Sequence, residues 1–106
     1  MRRLSAMPEL DPVIHQPVRL QIMAALSHLG SREQVDFTFL KTKLDLTDGN
    51  LGAHLLTLEQ AGYIAVEKTF VARKPKTFVA PTAAGRRAFE DHVAALTAIL
   101  KPKGTS

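Results

Sequence analysis

The spacing of apolar residues changes at Gly62, and this change constrains the fold more than any other feature of the chain. Before Gly62, Leu51, Leu55 and Leu58 recur at i, i+4 and i+7, which is the spacing of one face of an α-helix. After it, apolar and polar residues alternate from Ile64 onward, as in a half-buried β-strand. The chain is therefore predicted to place helices directly before a small sheet.

Four helices are predicted from the apolar spacing and from residues that favour helix ends. The first begins at Pro17, whose missing N–H suits a first turn, and ends at Gly30. Asp36, Thr47 and Thr82 each precede an apolar stripe and are predicted to cap the second, third and fourth helices. The fourth helix, at about 19 residues, is longer than so small a core requires.

Only Asp45 and Leu46 separate the second helix from the cap of the third, and a connection this short makes the two helices cross. The polar segment before the second helix is a loop or a very short strand. Two further strands are predicted over residues 63–70 and 77–80, joined by a hairpin loop over residues 71–76. This order is typical of a winged helix-turn-helix, a mainly α fold of the α+β class with a small β-hairpin.

Length and composition favour a single domain. The chain has 106 residues, of which 45% are hydrophobic and 23% charged, and we expect one domain over residues 1–106 with an ordered core over about 11–100 and flexible ends. No stretch approaches the roughly 18 apolar residues of a membrane span, so a soluble, cytoplasmic protein is expected.

Most kinds of catalytic or metal site are not expected. The absence of cysteine excludes disulfides, thiolate zinc sites and cysteine nucleophiles. The 4 histidines are scattered without a His-x-x-x-His pair, and neither a Gly-rich phosphate loop nor a nucleophile elbow occurs. We therefore expect no enzyme activity, no metal and no cofactor.

The charge of the chain favours a polyanionic partner. The net charge is +4 and the pI is about 9.8, although many basic proteins of this size bind no nucleic acid. Between Glu67 and Glu90 there are cations but no acidic residues. These cations are Lys68, Arg73, Lys74, Lys76, Arg86 and Arg87. Such a cluster favours contact with phosphates, and the alternative is a basic loop that maintains solubility.

Within this cluster, the hairpin is predicted to lie against a phosphate backbone, with Pro75 stiffening the tip of its loop. The predicted phosphate contacts of this wing are Lys68, Arg73, Lys74, Lys76 and Thr77.

The exposed face predicted for the third helix carries short, mostly polar side chains suited to the major groove of DNA. The candidates are Thr47, Asp48, Gly49, Asn50, Ala53, His54 and Thr57. Asn50 can pair with adenine, and His54 can reach a base edge or a phosphate. Alternatively, the Asn50 side chain reciprocates the helix cap at Thr47, and the small residues pack against the second helix.

Four segments taken together resemble a known family. They are LTDGNLGAHL from Leu46, LEQAGYI from Leu58, RKPKTF from Arg73 and TAAGR from Thr82. In order and separation they are similar to a subfamily of small winged-helix transcriptional regulators related to the MarR and ArsR groups, over roughly residues 11–100. The chain departs from the pattern at Gly52 and Ala53, where such proteins often have serine with a longer polar or basic residue.

The resemblance implies a homodimer, joined through the first and last helices, that presents two recognition helices to palindromic DNA. Repression by competition with polymerase is the simplest mechanism it implies, and a small-molecule effector at the dimer seam is left open. Both helices carry apolar residues beyond one face, as a dimer interface would. The predicted interface residues are Leu20, Met23, Phe89, Val93, Leu96, Ile99 and Leu100.

Two other functions remain open for the same fold. A protein-interaction module would have a more apolar third helix and a less basic hairpin. A non-specific nucleic-acid binder would use the same cations without reading bases, and competition with random DNA would distinguish it from a specific regulator.

Overall fold

The computed structural model describes residues 9–101. In chain order the elements are α1 (Pro17–Leu26), β1 (Val35–Asp36), α2 (Phe37–Leu44), α3 (Asp48–Gln60), β2 (Ile64–Val71), β3 (Lys74–Pro81) and α4 (Ala83–Leu100). This arrangement confirms the predicted α+β winged helix-turn-helix. The predicted flexible ends fall largely on residues 1–8 and 102–106, which lie outside the described residues.

The three strands form one antiparallel sheet in the order β1-β3-β2. β1 pairs Val35 with Val79 and Asp36 with Phe78, so the segment left open between loop and strand is a strand of 2 residues. Because Asp36 is also the N-cap of α2, this pairing ties the start of α2 to the hairpin.

Helix α1 is shorter than predicted. Its cap is Gln16, whose side chain accepts the backbone N–H of Arg19 at 2.9 Å, and the helix ends at Leu26 rather than continuing to Gly30. Beyond that point Leu29 donates to the carbonyl of Leu26 at 3.0 Å, a turn hydrogen bond over three residues. Leu29 still packs against the core from this turn, although it lies beyond the end of the helix.

The helix-turn-helix connection is as short as predicted. Asp45 adopts a left-handed conformation with φ 55° and ψ 54°, and Leu46 donates its N–H to the carbonyl of Lys41 at 3.0 Å. Thr47 then caps α3, because its hydroxyl accepts the backbone N–H of Asn50 at 3.1 Å. The predicted caps Asp36, Thr47 and Thr82 are all confirmed.

Gly62 ends α3, as predicted, with a left-handed φ of 82°. The N–H of Tyr63 donates to Leu58 at 3.0 Å and that of Gly62 to Glu59 at 2.9 Å, the two hydrogen bonds of a Schellman motif. The chain therefore reverses within one residue and enters β2 at Ile64.

The hairpin differs from the prediction. A loop over residues 71–76 was expected, but β2 runs to Val71 and β3 starts at Lys74, which leaves only Ala72 and Arg73 in the turn. Both have positive φ, 51° and 68°, as a type I′ turn requires. The usual Asn-Gly signal of this turn is missing, which explains why the loop was predicted too long.

Pro75 accordingly lies in β3 opposite Phe70, not at a loop tip. Hydrogen-bonded and non-bonded pairs alternate along an antiparallel ladder. Counting from the closing pair Val71 and Lys74, the Phe70–Pro75 pair is non-bonded. The missing N–H of Pro75 therefore removes no hydrogen bond of the hairpin.

The core lies where α1, α2 and α3 meet the base of the hairpin. Its buried side chains are Ile14, Ile22, Met23, Leu26, Leu40, Leu51, Leu55, Leu58, Ile64 and Val79. None of the helices within residues 9–101 has the length and apolar character needed to cross a membrane.

Helix α4 packs on the domain through only part of the face that carries its large apolar residues. Its buried residues are Gly85, His92 and Ala95, whereas Val93 is 42% and Leu100 75% exposed. The apolar stripe of α4 therefore extends past the domain that it packs on.

Candidate nucleic-acid interface

The outer face of α3 is available to a partner. Thr47, Asp48, Gly49, Asn50 and Ala53 are exposed, while His54 and Thr57 are half-buried. The Asn50 backbone donates to the Thr47 cap, but the Asn50 side chain takes part in none of the hydrogen bonds found within residues 9–101. The reciprocal cap considered above is therefore not formed.

The glycines of α3 are not packing positions. A Cβ added at Gly49 or at Gly52 would meet nothing within 4 Å. The alternative in which these glycines fit tightly against α2 is therefore wrong. Gly49 has no side chain to cover the helix backbone, so a flat partner can approach the backbone closely at this position.

The acidic residue of this face is neutralised locally. Asp48, in the first turn of α3, forms an ion pair with Lys41 of α2 at 2.9 Å. Both side chains are well exposed, at 75% and 39%, so the pair contributes little to stability. Its effect is electrostatic, because it offsets a charge that would repel phosphates.

Leu56 on the same helix was not among the predicted site residues. This side chain is 53% exposed and lies outside the buried stripe of Leu51, Leu55 and Leu58. Its position off that stripe was the available signal. An exposed leucine on a reading helix suits contact with a thymine methyl group.

His54 lies at the edge of the α3 face, beside α1. Nη1 of Arg19 lies 3.3 Å from Nδ1 of His54. Burial, and after it the positive charge of Arg19, hold the pKa of His54 below its usual value of 6.5. The sequence carried no signal for this contact, because the two residues are 35 positions apart.

The tip of the wing carries cations that form no ion pair within residues 9–101. Arg73 lies in the turn and Lys74 starts β3, and both are exposed, as is Lys68 on β2. Phe70 and Val71, 72% and 46% exposed, extend the tip with apolar surface.

Not all of the basic cluster is free, which corrects the expectation of cations without counter-ions. Lys76 Nζ donates to Oδ2 of Asp36 at 2.6 Å and forms an ion pair with it. This hydrogen bond is the largest of the causes that lower the pKa of Asp36. Arg86 Nη2 donates to the carbonyl of Gly30 at 2.9 Å and so holds the loop after α1. Thr77 is half-buried in β3.

The predicted dimer residues fall into three groups. Met23 is 1% exposed inside the core, so its assignment to an interface is wrong. Leu20 and Phe89 are partly buried and pack against the core. Val93 and Leu100 are exposed, with Leu96 and Ile99 half-buried beside them.

A polar cluster that the sequence analysis missed joins the N-terminal segment to α4. Tyr63 Oη donates to Oδ2 of Asp11 at 2.6 Å, which raises the pKa of Tyr63 to about 12. The backbone N–H of Asp11 donates to Nδ1 of His92 at 3.3 Å. His92 is 1% exposed, and its Nε2 has no partner within residues 9–101.

This cluster borders an open groove of about 590 Å³ between the N-terminal segment and α4. The groove carries acidic and basic side chains together, including Asp91 and Arg87. Within residues 9–101, no group of three His, Asp or Glu side chains is arranged to hold a metal ion.

Comparison with known proteins places this geometry among DNA-binding domains. Residues 18–100 match a family model described as a winged helix DNA-binding domain. The uncharacterized protein MJ0432 of Methanocaldococcus jannaschii is 38% identical over 81 residues, which cover 76% of this chain and 85% of that protein.

Solved structures give the same result. The transcriptional regulator homologue protein from Pyrococcus horikoshii OT3 superposes with a TM-score of 0.74 at 33% identity, over 83% of this chain and 84% of that one. The putative transcriptional regulator TA0346 from Thermoplasma acidophilum has a TM-score of 0.66 at 20% identity, over 86% of this chain and 90% of that one, and shows the fold alone. The resemblance to winged-helix transcriptional regulators is thereby confirmed.

Proposed function

The chain belongs to the family of winged helix DNA-binding domains, and from this premise we propose that it is a sequence-specific regulator of transcription that binds double-stranded DNA as a homodimer. The observation that carries the proposal is the outer face of α3, which is mostly polar and exposed and on which the Asn50 side chain forms no hydrogen bond within residues 9–101. A surface of this kind fits the major groove.

In this proposal α3 reads base edges. Asn50 offers both a donor and an acceptor to adenine, and Gly49 with Ala53 lets the helix backbone lie close to the groove. Leu56 adds an apolar contact for a thymine methyl group. Thr47 accepts the Asn50 N–H through its hydroxyl oxygen and keeps its hydroxyl hydrogen for a phosphate, whereas Thr57 donates its own to the Ala53 carbonyl oxygen at 3.3 Å.

The wing supplies affinity without reading sequence. Arg73, Lys74 and Lys68 are exposed and carry no acidic partner among residues 9–101, so each can release a counterion when it meets a phosphate. Lys76 contributes less than the sequence suggested, because its charge is already paired with Asp36. A two-residue turn limits the flexibility of the tip and reduces the entropy lost on docking.

The homodimer forms in this proposal through α4. Val93 and Leu100 are exposed on one side of that helix, and Leu96 and Phe89 continue the stripe toward the core. A second copy that covers this stripe would bring two α3 helices to one face of the duplex. Successive major grooves there are about 34 Å apart, so the site is expected to be palindromic.

The simplest regulatory outcome is repression. A dimer bound across a promoter excludes polymerase by occupancy, and this mechanism needs no second domain. The exposed and polar character of α3 favours DNA over a protein partner, for which a more apolar helix would be expected.

Selection of bound fragments from random duplex DNA tests the proposal. We expect enrichment of a palindrome and, at about physiological salt, binding to it at least 10³-fold tighter than to random duplexes. Enrichment of a single half-site would refute the dimer but not sequence-specific binding. Equal binding to all duplexes would refute sequence-specific regulation and leave a non-specific binder.

A further inference from the structure

Arg19 of α1 is held in place beside the recognition helix. Its Nε donates to the carbonyl oxygen of Val13 at 2.6 Å, and its backbone N–H donates to the cap residue Gln16. From this position Nη1 lies 3.3 Å from Nδ1 of His54. Arg19 and His54 are both half-buried, so the contact is partly shielded from water.

The chemistry of the two side chains decides which atom carries the hydrogen. A guanidinium has only donors and stays charged in proteins. Nδ1 of His54 must therefore be the acceptor, with its lone pair toward Arg19. A neutral imidazole with a lone pair on Nδ1 carries its hydrogen on Nε2.

The same contact also indicates the charge of the imidazole ring. An imidazolium would direct an N–H from Nδ1 at the guanidinium, so the contact favours the neutral ring. Burial and Arg19 both lower the pKa of His54, which agrees with a neutral ring near pH 7.5.

We infer that Arg19 is a positioning residue that determines the base preference of α3, because it holds His54 with its hydrogen on Nε2 and so makes the ring a hydrogen-bond donor toward DNA. This inference rests on the proposed function. A donor selects a base edge that presents acceptors in the major groove. Guanine presents two, N7 and O6, whereas cytosine presents only its amino donor. The base facing His54 is therefore guanine in preference to cytosine.

The first test measures the ring directly in the protein without DNA. Nitrogen-15 NMR of labelled histidine at pH 7.5 distinguishes the two neutral tautomers. We expect the hydrogen of His54 on Nε2 in the unmodified protein and a mixture of tautomers in Arg19→Met, which keeps the bulk and removes the donors. A hydrogen on Nδ1 in the unmodified protein would overturn the inference.

The second test measures base preference on variants of the selected site. The unmodified protein should prefer guanine to cytosine at one position in each half-site by about tenfold, the worth of one hydrogen bond. Arg19→Met and His54→Leu should each reduce this preference to about twofold or less, because the first leaves either ring nitrogen free to carry the hydrogen and the second has no polar atom to present. Arg19→Lys, which keeps a donor-only cation, should retain part of the preference.

Two failing outcomes can be distinguished. If Arg19 only stabilises α1, Arg19→Met will weaken binding to all sites equally and leave the guanine preference intact, and the inference fails while the proposed function stands. His54→Leu guards against misfolding of the Arg19 variant, because it removes the same contact from the partly exposed side of α3. If the unmodified protein selects no site at all, the proposed function and the inference fail together.

Discussion

Gly85 of α4 lies against the backbone of Tyr63, so close that a Cβ atom on Gly85 would overlap the Tyr63 carbonyl oxygen. Two hydrogen bonds surround this contact. Thr82 donates its backbone N–H to Tyr63 O at 3.1 Å and its hydroxyl to Gly62 O at 2.7 Å. The first turn of α4 is thus joined to the point where α3 ends and β2 begins.

Replacing Gly85 with alanine should destabilise the domain by about 3 kcal/mol, the upper range for overpacking, because the obstacle is backbone that cannot rotate away. Urea denaturation followed by circular dichroism measures the effect. Gly52→Ala is the matched control, since its added Cβ meets nothing within 4 Å and should change stability by about 1 kcal/mol or less, in the stabilising direction. Equal effects of the two substitutions would contradict the close packing.

Asn50→Ala should weaken binding to the selected DNA site by about 1–3 kcal/mol and binding to random DNA much less. The melting temperature should stay unchanged, because the Thr47 cap uses the backbone N–H of Asn50. Thr47→Ala is the contrasting variant, in which loss of the cap lowers stability by about 1 kcal/mol. An equal loss on specific and random DNA would assign Asn50 to anchoring instead of reading.

Arg73→Ala combined with Lys74→Ala should weaken binding to every duplex and lower the slope of log affinity against log salt by about one to two units. Titrations at several salt concentrations measure this slope. Lys76→Ala is the matched control within the same wing, and its effect should be smaller because Asp36 already neutralises that charge. A slope unaffected by the double substitution would remove the wing from the DNA interface.

Leu100→Glu should dissociate the proposed dimer and abolish tight binding to a palindrome, because it places a charge on the exposed apolar stripe of α4. Sedimentation equilibrium measures the mass. Ala98→Glu is the control, since Ala98 is also exposed but lies roughly 140° around the helix from Val93. A monomeric unmodified protein at tens of micromolar would refute this interface.

Stability should fall as the pH is lowered from 7.5 to about 5. Burial, followed by the charge of His15, lowers the pKa of His92, whereas Asp11 acts in the opposite direction. The unfolded chain, with the usual pKa near 6.5, therefore binds more protons below that pH than the folded chain does. The stability from neutral His92 is present above pH 6.5 and is lost as the pH falls from there through the lower pKa of His92 in the folded state.

Urea midpoints at several pH values test this. His92→Gln should flatten the profile, because an amide oxygen can still accept the Asp11 N–H but cannot titrate. A second contribution of the same sign comes from His54, whose pKa is also lowered. A midpoint that rises on acidification through pH 6 would show that the sign is wrong.

Much of the fold was readable from the sequence because its signals are local. Asp36, Thr47 and Thr82 each accept a backbone N–H two or three residues along the chain, and Gly62 reverses the chain within its own residue. Such features depend on neighbours that the sequence displays side by side. The exposed face of α3 followed from the same reasoning, once its buried stripe was known.

What only the tertiary structure decided involves residues far apart in the chain. Lys76 meets Asp36 across 40 positions, Arg19 meets His54 across 35, and the backbone of Asp11 meets His92 across 81.

The tertiary structure also decided which side of α4 packs on the rest of the domain. Periodicity shows that a helix has an apolar stripe, but the packing partner determines how much of it is buried. Here the small surface of Gly85 and Ala95 allows close approach to the domain, and this approach leaves Val93 and Leu100 outside. The sequence by itself therefore determined the elements and their caps. Packing decided which cations are free, which histidines are buried and which apolar surface is left for a partner.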